Sequence, residues 1–328
     1  MPELPEVETI RLGLQKYLVR TPSGGKKVES VEIRLPKIFE GDPSKIVGAT
    51  VKEVRRFGKV LVLDFDNHHS LAVHVKLTGQ LVYVGRDRPQ GSRLSSKVGQ
   101  VPNPFTHVIF HFSGGDKLFY NDIRQFGWLK VLHTPDVGKM KFIAEPKKTA
   151  GFKPTDELDS DMSFSFRGET PRFKRGENVI EEMGPEPFGS AHDKPALTLE
   201  AFRGILQNKS TAVKVLIMDQ KKIGGVGNIY ANDALYLAKI DPRRQARSLS
   251  EEEVEELYKA LHTVLKKGLE LGGASESTFV NAIGEEGSYQ KHFLVYSKAG
   301  KACTKCGTRI IRTTLGGRGT FICEYCQK

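Results

Sequence analysis

Four cysteines close the 328-residue chain as two Cys-x2-Cys knuckles, Cys303 with Cys306 and Cys323 with Cys326, separated by 16 residues; the rest of the sequence contains none. Four thiolates at that spacing suit one tetrahedral Zn2+ in a closed structural site, with no ligand position left for a catalytic water. Gly307 allows the tight turn after the first knuckle. The same count excludes a secreted disulfide scaffold, which spreads its cysteines through the chain. Between the knuckles, Arg309–Thr314 and Gly319–Ile322 alternate like a hairpin, with Gly316–Gly319 at the turn. Residues 297–328 carry seven Lys/Arg and one Glu, a local charge of +6. Arg318, flanked by glycines at the hairpin tip, is placed to approach a phosphate closely.

The basic character extends beyond this module. Fifty Lys+Arg against 39 Asp+Glu leave a net charge of +11, and the pI is near 9.3. A polyanion is the first partner to consider, with nucleic acid ahead of a membrane because no basic amphipathic anchor is evident. A hydrophobic fraction of 38% can fill a core, which excludes disorder of the whole chain. No apolar run approaches the roughly 20 residues of a membrane span. The acidic start lacks a signal-peptide layout, so a cytoplasmic or nucleoid location is expected.

Hydrophobic periodicity divides the remainder. Pro5 opens a helix with Val7, Ile10, Leu14 and Leu18 on one face, reaching about Val19. From Val28 the period becomes two. Strands are expected at Val51–Arg56, Val60–Phe65, Leu71–Leu77, Gln80–Val84, Thr106–Phe112, Lys117–Tyr120 and Trp128–Leu132, joined by turns and a loop at 86–104. Residues 138–180 show little periodicity and read as a linker or insertion. Helical patterning resumes behind Thr198 and continues at Ala212–Met218 and Asn228–Lys239. A last helix starts from the Ser250/Glu253 capping box, with Leu249 and Val254 as a staple. The expected fold class is α+β and multidomain. A β-sandwich with an N-terminal helix (1–137) leads through a linker (138–183) to a helical domain (184–297) and a four-cysteine zinc finger (298–328).

The N-terminus carries a chemical possibility. Removal of Met1 before the small residue Pro2 would expose a secondary amine. An α-amine with a pKa near 8 is about one-tenth neutral at pH 7, far more than a lysine, and so is ready to attack a sugar carbon. Glu3 and Glu6 stand beside it and can handle protons. Read alone, these residues are also an ordinary helix start.

Met1-Pro-Glu-Leu-Pro-Glu-Val-Glu-Thr9 resembles the start of the formamidopyrimidine-DNA glycosylases, relatives of endonuclease VIII. The resemblance recurs in family order at His74–Gly79, Asn121–Trp128, Gly184–Pro187, Lys209–Lys214, Gly225–Tyr230, Tyr289–Gln290, Val295–Tyr296 and the zinc module. It implies a monomeric bifunctional repair enzyme acting on double-stranded DNA with damaged bases or abasic sites. The Pro2 amine would displace an oxidised purine, such as 8-oxoguanine or a formamidopyrimidine, and the resulting Schiff base would undergo β- and δ-elimination. Glu3 would serve as acid/base at the sugar, with Glu6 in support. Lys59 corresponds to a strand lysine near the damaged nucleoside, and Arg318 to the zinc-finger arginine on its phosphates.

The resemblance also implies that 184–297 is a helix–two-turn–helix domain. Lys214, Asn228 and Tyr230 would contact DNA there, with Asn228 at a helix N-terminus suited to phosphate. His74 and His107 would be further DNA contacts, although a lone strand histidine is commonly structural. Leu77, Arg124 and Phe126 would fill the hole left by the extruded nucleotide, Phe126 wedging and Arg124 bonding the orphaned base. Two features depart from the family: Gln125 stands where a second basic residue is common, and Ala274–Phe279 differs from the usual loop near the flipped base. The alternatives are an endonuclease VIII-like enzyme for oxidised pyrimidines and a non-catalytic reader of damaged DNA.

Overall fold

The computed structural model describes residues 1–21, 24–140, 183–188 and 196–328. Helix α1 (Leu4–Leu14) precedes β1 (Val28–Ile33), β2 (Phe39–Glu40), β3 (Val51–Phe57), β4 (Val60–Phe65), β5 (His69–His74), β6 (Gly79–Val84), β7 (Thr106–Phe112), β8 (Asp116–Asp122) and β9 (Trp128–His133). The strands form a four-stranded sheet, β1-β7-β8-β6, and a five-stranded sheet, β2-β9-β5-β4-β3, antiparallel except for β2 on β9. Their facing side chains, among them Val54, Leu63, Val73, Phe110 and Tyr120, join Val7, Ile10 and Leu14 of α1 in one core. Strand β4 is buried at every position, because a second cluster around Phe57, Val62, Met140 and Met183 covers its outer face. That explains the apolar run Val60–Leu63 in place of alternation.

Three expectations change in detail. The α-helical stretch ends at Leu14, and Gln15–Val19 follow as a π-helical turn. Strand β5 stops at His74, so Leu77 lies in a turn; Lys76 takes φ +49° there and Gly79 N–H donates to the Val75 carbonyl at 2.8 Å. Lys59 also lies outside a strand, in the two-residue turn between β3 and β4, where Gly58 has φ +54°. Most of the linker read at 138–180 falls outside the described residues, from 141 onward.

The C-terminal part packs α2 (Leu199–Leu206), α3 (Val213–Ile217), α4 (Asn228–Leu237) and α5 (Glu251–Glu270) around a second core, with Phe202, Ile217, Tyr230 and Leu261 at its centre. The Ser250/Glu253 capping box forms as read: Glu253 N–H donates to Ser250 Oγ at 3.2 Å and Ser250 N–H to Glu253 Oε2 at 2.8 Å. Strands β10 (Ile311–Leu315) and β11 (Arg318–Ile322) make the final hairpin. Gly316 and Gly317 form its turn at φ +57° and +74°, so Arg318 begins β11 opposite Leu315. No helix among the described residues is long and apolar enough to cross a membrane.

Candidate active site

The N-terminus is bolted between the two cores. Glu3 N–H donates to Glu6 Oε2 at 2.8 Å, closing the first turn of α1, and Leu4 N–H donates to the Gly225 carbonyl at 3.0 Å. The Glu3 carboxylate crosses to α4, accepting from Ile229 N–H at 2.9 Å and Tyr230 N–H at 3.4 Å. These are free amides of a helix N-terminus, the place where a negative group is best held. Gly227 makes the approach possible, since a Cβ there would stand 2.3 Å from Glu3 Cδ. Glu6 Oε1 in turn accepts from the Tyr230 hydroxyl and from Ala274 N–H, each at 2.7 Å.

A cleft of about 470 Å³ opens at this junction, lined by Pro2, Glu3, Lys59, His74, Asn228 and Arg318, with Glu6 and Leu77 on its wall as well. Lys59 is nearly buried, and its Nζ donates to the Val226 carbonyl at 3.2 Å. Behind its turn lies a charge cluster. Arg56, fully buried, is paired with Glu8 at 2.8 Å and with Glu186, whose Oε1 accepts Gly58 N–H at 2.5 Å. A buried guanidinium needs such counter-charges. Sequence reasoning missed this positioning device, because Glu186 is 130 residues from Arg56 and nothing local announces the pair.

Burial dominates the titration of the site. It pushes the Glu3 carboxyl up to about 7, against the opposing pull of the Lys59 charge. It also lowers the N-terminal amine below its ordinary value, although Glu3 and Glu6 act to raise it. That amine belongs to Met1 here, and the Pro2 nitrogen is an amide; loss of Met1 moves the amine by one residue along the same wall. An amine whose proton is held less tightly than usual, beside a carboxyl poised near neutrality, pairs a nucleophile with a proton donor. Burial, with help from the Lys76 and Lys59 charges, holds His74 well below its usual range, and its Nδ1 accepts Lys76 N–H at 2.9 Å.

Next to the cleft, two loops are joined. Thr78 donates its hydroxyl to Asp122 Oδ1, which also accepts Arg124 N–H at 3.2 Å, while Gly127 N–H donates to Oδ2 at 2.7 Å. Asp122 thereby locks the Leu77 turn to the Arg124–Phe126 loop. It ends β8 just before that loop, and sequence reasoning did not single it out. Phe126 is 55% exposed, so it is not a core residue, and the Arg124 guanidinium sits 5.2 Å from its ring centroid.

Three residues expected to contact DNA also bond inside the protein. Lys214 is fully buried, and its Nζ donates to the Gly319 carbonyl at 2.9 Å and to Thr320 Oγ1 at 2.8 Å, which fixes the strand that carries Arg318. Burial lowers its ammonium to about 7. Tyr230 is buried, bonded to Glu6 and stacked on Tyr289 at 4.8 Å. The buried His107 ring places Nε2 at 2.8 Å from the Asp122 carbonyl. Asn232 adds a further tie, bonding the Asn228 carbonyl at 2.6 Å and Phe321 N–H at 2.9 Å. A second cavity of about 440 Å³, lined by Lys209, Lys214, Lys222 and Arg318, lies between α3 and the hairpin.

The four cysteine sulfurs lie within 4.8 Å of one another, with Cys303–Cys326 at 3.9 Å and Cys306–Cys323 at 3.4 Å. A tetrahedron of Zn–S bonds near 2.3 Å has edges of about 3.8 Å, so the donor set fits one zinc ion. Gly307 at φ +77° makes the first knuckle, and Lys305 N–H points at Cys303 Sγ from 3.4 Å.

Family models match in the same order as these parts. Residues 1–129 match the formamidopyrimidine-DNA glycosylase N-terminal domain, 183–280 its H2TH domain, and 300–328 the zinc finger found in FPG and IleRS. A formamidopyrimidine-DNA glycosylase of Pelotomaculum thermopropionicum is 33% identical over 100% of this chain and 99% of its own length. The crystal structure of the MutM (FPG) protein from Thermus thermophilus is 30% identical, with a TM-score of 0.74 and 99% and 98% of the two chains covered. Lactococcus lactis Fpg in complex with DNA containing an abasic site is 27% identical, with a TM-score of 0.73 and 99% of each chain covered.

Proposed function

The chain belongs to the formamidopyrimidine-DNA glycosylase family, and on that premise we propose how its own residues excise a damaged base. The protein is a DNA glycosylase for oxidised purines, formamidopyrimidines and 8-oxoguanine, with a lyase step at the sugar it uncovers, and it works in the cytoplasm on the nucleoid. After Met1 is removed, the Pro2 nitrogen attacks C1′ of the extruded nucleotide. The glycosidic bond breaks, and the base departs with the bonding pair and takes up a proton. Opening of the sugar, with the Glu3 carboxyl protonating the ring oxygen, leaves an iminium on Pro2. Loss of the 3′ and then the 5′ phosphate by β- and δ-elimination gives a one-nucleotide gap.

The observation that carries this reading is the shared cleft, where the N-terminal residues, Glu3 and Lys59 face Arg318 of the zinc hairpin. A DNA reader needs neither a buried amine with a lowered pKa nor a carboxyl with a pKa about 7 beside it. Lys59, Asn228 and Arg318 hold the phosphates and sugar, with His74 as a neutral hydrogen-bonding partner. Leu77, Phe126 and Arg124 occupy the vacated stack. Lys214, Tyr230 and His107 act from behind, holding Arg318, Glu6 and the Asp122 joint. The zinc ion, bound by Cys303, Cys306, Cys323 and Cys326, fixes the hairpin and takes no part in the chemistry.

The test is base release and strand cleavage on duplexes containing 8-oxoguanine opposite cytosine or thymine glycol opposite adenine. Faster excision of 8-oxoguanine, with phosphate left at both ends of the gap, is expected. Excision mainly of thymine glycol would place the chain with the endonuclease VIII-like enzymes. Tight binding without base release, in protein whose Met1 is gone by mass, would overturn the enzyme reading.

A further inference from the structure

The segment Ala274–Phe279 presents two exposed residues, Glu276 and Ser277, into the catalytic cleft from a stem tied on every side. Ala274 N–H is held by Glu6 at 2.7 Å and Ser275 N–H by Gln290 Oε1 at 2.9 Å. The buried Ser275 hydroxyl donates to the Phe279 carbonyl at 2.8 Å and accepts Gly287 N–H at 2.9 Å, closing the loop on itself. From the sandwich side, Gln80 Nε2 donates to the Thr278 carbonyl at 2.7 Å and Lys97 to the Ser275 carbonyl. A tip mounted this way keeps its direction when substrate enters. Inside the cleft the Glu276 carboxylate faces the Tyr296 hydroxyl, which the Asn228 side chain also reaches.

A carboxylate in a cleft built for a polyanion is repelled by phosphate and can only accept hydrogen bonds. Neutral donors in extruded DNA are the N–H groups of the base. Two carboxylate oxygens match two adjacent donors, such as the ring N1–H and exocyclic N2–H of a guanine-derived base. That pair survives in 8-oxoguanine and in the ring-opened guanine lesion. A thymine-derived base offers a single N–H between two carbonyl oxygens, which a carboxylate repels.

We propose that Glu276 is a specificity-determining residue that accepts from the N1–H and N2–H edge of guanine-derived lesions. The proposal rests on the glycosylase reading and adds to it the base edge that is read. The experiment compares single-turnover excision of 8-oxoguanine with that of 8-oxohypoxanthine, which lacks the exocyclic amine, both opposite cytosine. A duplex with a preformed abasic site serves as the internal reference.

Wild-type protein should excise 8-oxoguanine at least about tenfold faster than 8-oxohypoxanthine, because the missing amine leaves a carboxylate oxygen unpaired. In Glu276→Gln and Glu276→Ala that gap should narrow to about threefold or less, and the ratio of 8-oxoguanine excision to abasic-site cleavage should fall at least about tenfold. An unchanged gap in both variants would overturn the proposal. So would an equal loss on the abasic duplex, which would make the loop merely structural. Base release from none of the duplexes by wild-type protein would instead fail the glycosylase reading itself and remove the basis for this one.

Discussion

Gly227 offers the sharpest perturbation of the catalytic geometry, because a single added methyl meets the Glu3 side chain. Its backbone lies at φ −138° and ψ −161°, which alanine adopts freely, so the substitution acts through space alone. The new Cβ would stand 2.3 Å from Glu3 Cδ, 2.6 Å from Cγ and 2.5 Å from Oε1. Carbon atoms pack at about 3.5–4.0 Å, so the carboxyl must retreat by more than about 1 Å. It then leaves Ile229 N–H, at present 2.9 Å away. Overpacking costs about 1–3 kcal/mol and the lost charge-assisted bond a similar amount. A misplacement of about 1 Å at a reacting group lowers rate by about 100-fold. Single-turnover excision by Gly227→Ala should therefore fall by about two orders of magnitude, while affinity for an uncleavable abasic analogue changes only a few fold. Excision within about threefold of wild type would refute the assignment of Glu3 to the reaction.

Other consequences separate stability from activity. Burial raises Glu3 from 4.5 to about 7, so the native state takes up a proton that the unfolded chain lacks between those values. Stability from this group is present at low pH and is lost as pH rises through about 7; at pH 8 the charged form costs up to about 3 kcal/mol. Glu3→Gln should thus be inactive yet melt higher than wild type at pH 8, with the difference closing toward pH 5; a lower melting point at pH 8 would contradict it. Phe126→Ala removes an exposed ring. It should shift stability by under about 0.5 kcal/mol but slow excision more than about tenfold, and a large loss in the denaturant midpoint would mark Phe126 as core. Cys303→Ser should lose zinc and DNA affinity together, measured by metal content and fluorescence anisotropy, since metal binding supplies the folding energy of so small a module; full binding by metal-free protein would refute that.

The readable parts of the chain are those with local signals. Cysteine spacing announces the zinc module, and β4 and β7 fall at the residues read from apolar pattern and turn residues. Lys59 is expected on a strand through the resemblance alone; the strands read at Val51–Arg56 and Val60–Phe65 leave it between them, where the turn puts it. Leu77 misleads by its pattern: the alternation Val73, Val75, Leu77 runs on into a turn that Lys76 makes at φ +49°. Lys214 and Tyr230 are expected as DNA contacts by resemblance alone, whereas their buried partners, Thr320 and Glu6, are supplied by distant chain. The Arg56 network is invisible for the same reason, since its second carboxylate, Glu186, comes from 130 residues along the chain.

The proposed nucleophile is the Pro2 amine. This assignment is tested most directly by trapping the enzyme on an 8-oxoguanine duplex with borohydride and mapping the modified peptide by mass spectrometry. The sugar remnant is expected on the peptide that begins at Pro2, with no trapped product from Pro2→Gly protein that keeps its Met1. A remnant on Lys59 or Lys214, or undiminished trapping with Met1 in place, would contradict it.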